Sequence, residues 1–274
     1  MTSLAVERQG PIGLVTMNRP ERHNAFDDVL IQELMDALRA MEADEQVRMV
    51  VLAGAGRSFS AGADLNWMKR MANFSRDENE RDAMQMAALM RTLAHLRKPT
   101  IARVHGAAYG GGVGLVACCD IAVATHTATF SLSEARLGLI PAVISPYVVA
   151  AIGERAARRY FLTAERFDSA EAWRLGLVHE LASGEAELDE KLGELVDALL
   201  ACSPASQTEA KALIRAVAGR PVTSELIQDT AERIAKIRAS PEGREGVAAF
   251  LEKRRPAWIP PEPEPEVPPQ LPEV

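Results

Sequence analysis

The amino-acid sequence predicts an α/β protein followed by a mostly helical C-terminal part. Three observations carry this. β-Branched runs alternate with amphipathic segments in the first half, glycine-rich turns follow the strands, and the second half has helical spacing rich in Ala, Glu, Leu and Arg. The run over 12 to 17 is the first strand. A helix over 27 to 41 brings Leu30, Leu34, Leu38 and Met41 to one face, with Asp27 and Asp28 at its positive N-terminus. MVVLA (49 to 53), apolar throughout and followed by Gly54-Ala55-Gly56, has the pattern of a strand buried on both faces and then a turn. A polar, Met-rich helix over 79 to 96 stops at Lys98-Pro99, and a strand resumes over 100 to 104. Gly110, Gly111 and Gly112 precede a helical run over 113 to 119 and a strand over 121 to 124. From about 146 to 257 the pattern is mostly helical, punctuated by Pro204 and Pro221. Residues 259 to 274 alternate Pro with Glu and form an extended or disordered tail outside the fold. The expected organisation is an α/β core over 1 to 200, a helical part over 201 to 258, and that tail.

Composition excludes several function classes. The chain of 274 residues is 47% hydrophobic and 25% charged, enough for one large domain or one plus an appendage. Its 31 basic and 38 acidic residues give a net charge of −7 and are interspersed, so no basic face for nucleic acid is expected. No segment reaches the roughly 18 to 20 apolar residues of a membrane span. The N-terminal MTSLAVER has neither an export nor an organelle pattern, so a cytoplasmic setting is expected. Cys118, Cys119 and Cys202 cannot all pair, and the adjacent two lie in an apolar stretch that suits buried thiols. The five histidines show no metal-ligand spacing, and no metal site is expected.

Two glycine-rich loops and one carboxylate invite chemistry. RSFSAGADL (57 to 65) is either a tight turn with Phe59 in the core or a loop presenting free backbone N–H groups. The triple glycine leaves N–H groups free at a helix start, where anions bind. No Gly-Lys-Ser or Gly-Lys-Thr follows it, and Phe59 stands where a dinucleotide fingerprint needs its third glycine, so nucleotide loops are set aside. A transient oxyanion held by one N–H from each loop suits the pattern better. Glu134, among apolar residues before Gly138 and Pro141, is either a proton carrier with a raised pKa or a surface group paired with Arg136.

Taken in order, NRPERHNAF (18 to 26), RSFSAGADL (57 to 65), AAYGGGVGLVACCDIAVA (107 to 124), FSLSEARLGLIP (130 to 141) and AFLEKRRPAW (249 to 258) resemble the enoyl-CoA hydratase/isomerase, or crotonase, family. The resemblance spans about residues 5 to 258. It implies a crotonase-like spiral of repeated ββα units with a helical C-terminal trimerisation part, the trimers commonly paired as hexamers. It also implies an acyl-CoA thioester as substrate, with coenzyme A entering as part of it and no separate cofactor. By position, the N–H groups of Ala63 and Gly111 would hold the thioester oxygen, and Glu134 would move the proton. Ala61, Gly62, Ala63, Asp64 and Leu65 would line the CoA site, with Arg22 and His23 near the nucleotide phosphates. Lys253 would lie on the C-terminal helix that approaches a neighbour's CoA.

One position departs from the family. Its hydratases usually carry a second glutamate two residues beyond the triple glycine, where this chain has Gly114. A 1,3 proton shift needs only one carboxylate, so Gly114 favours an isomerase. Against that, residues 141 to 167 and DLNWM (64 to 68) resemble the bacterial methylglutaconyl-CoA hydratase group of leucine and isoprenoid-acid breakdown. Such substrates carry a free carboxylate, for which Arg136 is a candidate partner. Ser145 and Tyr147 offer hydroxyls to position water or to make structural hydrogen bonds. The expected function is hydration of an α,β-unsaturated, branched and carboxylated acyl-CoA such as 3-methylglutaconyl-CoA. The alternatives are a single-glutamate enoyl-CoA isomerase, an isohexenylglutaconyl-CoA hydratase and a non-catalytic acyl-CoA-binding member of the family.

Overall fold

The computed structural model describes residues 3–259, in two compact units that divide between Leu199 and Leu200. The Pro/Glu-rich tail lies, from residue 260 on, outside the described residues.

The first unit opens with a hairpin of β1 (Leu4–Gln9) and β2 (Ile12–Met17), then α1 (Asp28–Ala43), β3 (Met49–Gly54), β4 (Ser58–Ser60), α2 (Leu65–Met71) and α3 (Arg76–Ala94). It continues through β5 (Thr100–Val104), β6 (Ala107–Tyr109), α4 (Gly111–Cys118), β7 (Ile121–Thr125), β8 (Thr129–Ser131) and α5 (Ser145–Thr163). β9 (Arg166–Asp168), α6 (Ser169–Leu175), β10 (Glu180–Ala182) and α7 (Glu185–Leu200) complete it. A six-stranded sheet runs β1-β2-β3-β5-β7-β10, parallel after the first hairpin. A four-stranded sheet runs β4-β6-β8-β9, with its first three strands parallel.

This is a spiral of ββα units. β3–β4–α2, β5–β6–α4 and β7–β8–α5 each place one strand in the large sheet and the next in the small one, so the three units step side by side. All six residues of β3 are buried, as its unbroken apolar run requires. α1 starts at Asp27, whose side chain accepts from the Leu30 N–H, and buries Leu30, Leu34 and Leu38. Phe26, Phe59 and Phe130 are the largest fully buried side chains.

Several expectations needed correction. The helix expected from residue 79 begins at Arg76, because Ser75 and Glu78 form a reciprocal capping box. The helix expected from residue 113 begins at Gly111, since Gly110 alone makes the turn and the next two glycines are helical. The helical stretch from 146 contains β9 and β10, three-residue strands too short to show a period, which form by pairing with β8 and β7. Cys118 is buried with its thiol against the Met90 sulfur, and burial pushes its pKa up.

The second unit holds α8 (Pro204–Val217), α9 (Ser224–Ala239) and α10 (Pro241–Glu252). Ser203, Thr223 and Ser240 cap them, with Pro at the start of the first and last. Glu242 ties two of the helix starts together, accepting from Ser203 Oγ at 2.5 Å and from the Ala205 N–H at 3.0 Å. Among the described residues no helix is long and apolar enough to cross a membrane.

Candidate active site

Parallel pairing of β4, β6 and β8 sends the loops that follow them to one edge of the small sheet. After β4 comes Ala61 to Asp64, after β6 the triple glycine, and after β8 a 3₁₀ turn, Ser133–Leu137, that carries Glu134. The first two loops touch at Gly62 (φ 89°) and Gly110 (φ 50°). A Cβ on Gly110 would lie 3.9 Å from Gly62 Cα and 3.1 Å from Glu134 Oε1, so only glycine lets the three loops meet.

Three of the N–H groups around this contact are spent. Ala61 donates to the His23 carbonyl at 2.9 Å, Asp64 to the Phe26 carbonyl at 2.7 Å, and Gly110 to the Ser131 carbonyl at 2.8 Å. The N–H groups of Ala63 and Gly111 donate to nothing among the described residues. That of Gly111 also lies at the positive end of α4. Two free donors on facing loops form a receptor for an oxygen that gains negative charge.

Glu134 completes the group. Its Oε2 is buried without a hydrogen-bond partner. Burial pushes its carboxyl above the usual carboxylate range, and only its own backbone N–H opposes the shift. The surface-pair reading therefore fails, since Arg136 is exposed and contributes nothing to Glu134.

Two cavities meet at Ala63. One, of about 300 Å³, is lined by Phe26, Trp67, Met86, Gly111, Glu134 and the loop over 139 to 144. The other, of about 460 Å³, is lined by Arg22, His23, Ala61, Leu65 and Lys69 among others. An apolar pocket thus holds the carboxyl and both residues whose N–H groups are free, and a charged one adjoins it at Ala63.

The family model for enoyl-CoA hydratase/isomerase matches residues 7–260. The chain belongs to that family. A solved enoyl-CoA hydratase from Shewanella pealeana is 45% identical with a TM-score of 0.91, over 93% of this chain and 96% of its own. One from Mycobacterium smegmatis is 34% identical with a TM-score of 0.87, over 93% and 98%. The 2,3-dehydroadipyl-CoA hydratase of Escherichia coli is 32% identical over 259 residues, 93% of this chain and 98% of its own. The activity is of the enoyl-CoA hydratase type, a carbon–oxygen lyase acting on an acyl-CoA.

Within this family fold the remaining expected residues divide by role. Ala61, Leu65, Arg22 and His23 line the charged cavity. Gly62 serves through its backbone, its carbonyl accepting from the Phe26 N–H at 2.7 Å. Asp64 is buried and caps α2, accepting from the N–H groups of Asn66 and Trp67, with Arg22 Nη1 at 3.2 Å and Arg19 Nη2 at 3.8 Å. Burial works against its charge, but those N–H groups and Arg22 hold the carboxyl below the usual range. It is therefore a scaffold residue as much as a lining one. Lys253 belongs to the second unit, where it closes α10 at φ 55° with its side chain exposed.

The hydroxyl candidates have other surroundings. Ser145 Oγ donates to the Ala142 carbonyl at 2.8 Å, and Tyr147 does not line the acyl-sized cavity. Gly114 has a steric reason. A Cβ there would overlap Ile144, lying 2.9 Å from its Cβ and closer still to its Cγ2, so buried Ile144 occupies the room a larger residue would need. Sequence reasoning missed Asn24, Lys69 and Asp82. Buried Asn24 holds the loop before α1 by accepting from the Arg19 N–H and donating to the Ala55 and Ser58 carbonyls. Lys69 and Asp82 follow the motifs at helical spacing and carry no local signature. Among the described residues no group of three or more His, Cys, Asp or Glu side chains could hold a metal ion.

Proposed function

We propose that Ala63 and Gly111 hold the thioester oxygen of a 2-enoyl-CoA through their N–H groups while Glu134 exchanges a proton with its α-carbon. The observation that carries this is the pair of unspent N–H groups beside a buried carboxyl with an unpartnered oxygen. As water adds to the β-carbon, the double-bond electrons move onto the thioester oxygen, and the enolate forms against those two donors. Each such donor is worth on the order of 3 kcal/mol of barrier. Glu134, whose carboxyl burial pushes above the usual carboxylate range, gives its proton to the α-carbon. CoA lies in the charged cavity, with Arg22, His23 and Lys69 toward its phosphates.

For the acyl group the reading is a short, branched chain, with 3-methylglutaconyl-CoA as the first substrate to test. The resemblance of residues 64 to 68 and 141 to 167 supports it, as does an apolar wall of Phe26, Met86 and Ile144 for a methyl branch. A second reading, an uncharged acyl chain, is favoured by the lining itself, whose only charged side chains are Asp82 and Glu134. Mass-resolved turnover of 3-methylglutaconyl-CoA, crotonyl-CoA and a 3-enoyl-CoA separates them. Water gain fastest on the first supports the branched, carboxylated substrate, and on crotonyl-CoA the uncharged chain. Isomerisation of the 3-enoyl-CoA without water gain would overturn hydration.

The same reading places the enzyme in the cytoplasm as a homotrimer or hexamer. Ile214, Ile227, Val247 and Phe250 of the second unit are exposed, Phe250 at 82%, an apolar set that a second copy would cover. Lys253, close by in sequence, would then reach CoA bound by the neighbour. Light scattering of the purified chain tests this, and a monomer would refute it.

A further inference from the structure

The acyl-sized cavity contains a second carboxyl. Asp82, on α3, lines it together with Glu134, Ala63 and Gly111. Its Oδ1 accepts from Trp67 Nε1 at 3.0 Å, which fixes the carboxyl, while Oδ2 has no partner among the described hydrogen bonds. The rest of the lining is apolar side chains and backbone, and the Trp67 N–H is already engaged. Within the described chain only Asp82 and Glu134 have side chains there that can take a proton from water. In the hydration reading Glu134 begins with the proton that it gives to the α-carbon, so it is not the group that takes water's proton before the enolate forms.

Asp82 also faces the solvent side. It lines a neighbouring cavity of about 260 Å³ with Asp28, Arg70, Glu78, Arg81 and Gln85, a polar approach that ends at the Trp67–Asp82 pair. Arg70 is ion-paired with Asp28. Burial raises the Asp82 carboxyl and Asp28 adds to the rise, while the Trp67 N–H and Arg70 oppose it, so its basicity is above that of a free aspartate.

Resting on the hydration reading above, we infer that Asp82 binds and deprotonates the water that adds to the β-carbon. Water loses one proton to Asp82 Oδ2, its oxygen bonds to the β-carbon, and the double-bond pair moves to the thioester oxygen. The enolate collapses as Glu134 gives its proton to the α-carbon. Asp82 ends protonated and Glu134 ionised, and one proton passed between them through water restores the start. No other reactant is required.

The test compares Asp82→Asn, Asp82→Glu and Glu134→Gln with the wild type in two assays. One is hydration of the best enoyl-CoA, and the other is exchange of the α-hydrogens of butyryl-CoA in D2O, which needs the oxyanion donors and Glu134 but no attacking water. Asp82→Asn keeps the acceptor for Trp67. It is expected to lower kcat for hydration roughly 10²- to 10⁴-fold with little change in KM, while α-exchange continues. Asp82→Glu should recover part of the hydration, and Glu134→Gln should lose both reactions. Hydration by Asp82→Asn at the wild-type rate would overturn the inference, as would equal loss of hydration and exchange, or Asp82→Glu less active than Asp82→Asn. A wild type that exchanges α-hydrogens but hydrates no enoyl-CoA would instead refute the hydration reading.

Discussion

The two cavities that share Ala63 treat charge in opposite ways. In the charged one, Asp64 is satisfied by two backbone N–H groups and by Arg22, and behind it Arg19, 3.8 Å from Asp64, pairs with Asp27 at 2.8 Å. In the apolar one, the Glu134 Oε2 is buried and unpartnered, and two N–H groups nearby are unspent. An orphaned buried carboxyl costs stability, and the first cavity supplies the rigidity that keeps it in place. The polar network holds the loops, and the unsatisfied groups are left for a substrate to satisfy.

The sharpest break in that contrast is Glu134→Gln, which keeps the shape and removes the proton. Turnover on the best enoyl-CoA should fall roughly 10²- to 10⁴-fold, measured by product mass under saturating substrate. Stability should move the other way. Burial raises the folded pKa above the ordinary value of 4.5, so the carboxyl's contribution is complete below that pH and is lost as pH climbs through the folded value. Glutamine does not titrate. The variant's Tm should therefore gain on the wild type as pH rises from about 4.5 to 8, and a difference flat with pH would contradict the burial argument.

On the satisfied side, Asp64→Ala removes the cap of α2 and leaves Arg19 and Arg22 short of a partner. A loss of about 2 to 4 kcal/mol in denaturant unfolding is expected. Gly114→Ala is a smaller test. A helix gain of about 1 kcal/mol opposes an overpacking cost of about 1 to 3 kcal/mol against Ile144, for a small net loss. Ile144→Ala alone should cost about 2 to 4 kcal/mol. The double variant should cost less than the sum by about 1 kcal/mol, and strict additivity would mean the two do not contend for one space.

How much of this was legible follows from what kind of signal each part leaves. β3 and α1 declared themselves, because a six-residue apolar run and a row of leucines bury wherever they fold. β4, β6 and β8 did not, since three residues show no period and pair only because neighbouring units stack. Glu134 and the glycine loops were visible as motifs, but the choice between a solvated and a buried glutamate depended on where β8 ends. Arg136 is two residues from Glu134 in sequence and adds no charge to its surroundings, a fact of turn geometry rather than composition. Asp82 was invisible for the reason that makes it informative. One acid among many on the polar helix α3 gains meaning only when Trp67 and the cavity are seen around it.

The smallest expected effect lies in the charged cavity. Arg22 is about half exposed, with Nη1 3.2 Å from Asp64, so its charge is partly spent before any ligand arrives. Arg22→Ala should therefore raise KM for an acyl-CoA only about two- to fivefold, the range of a partly exposed ion pair, and leave kcat unchanged. Because the partner would be a phosphate reached through solvent, the effect should shrink as salt rises from about 0.05 to 0.5 M. A change in kcat of the same size would mean that Arg22 orders the loop bearing Ala63 through Asp64. The charged cavity would then help set the catalytic geometry as well as bind.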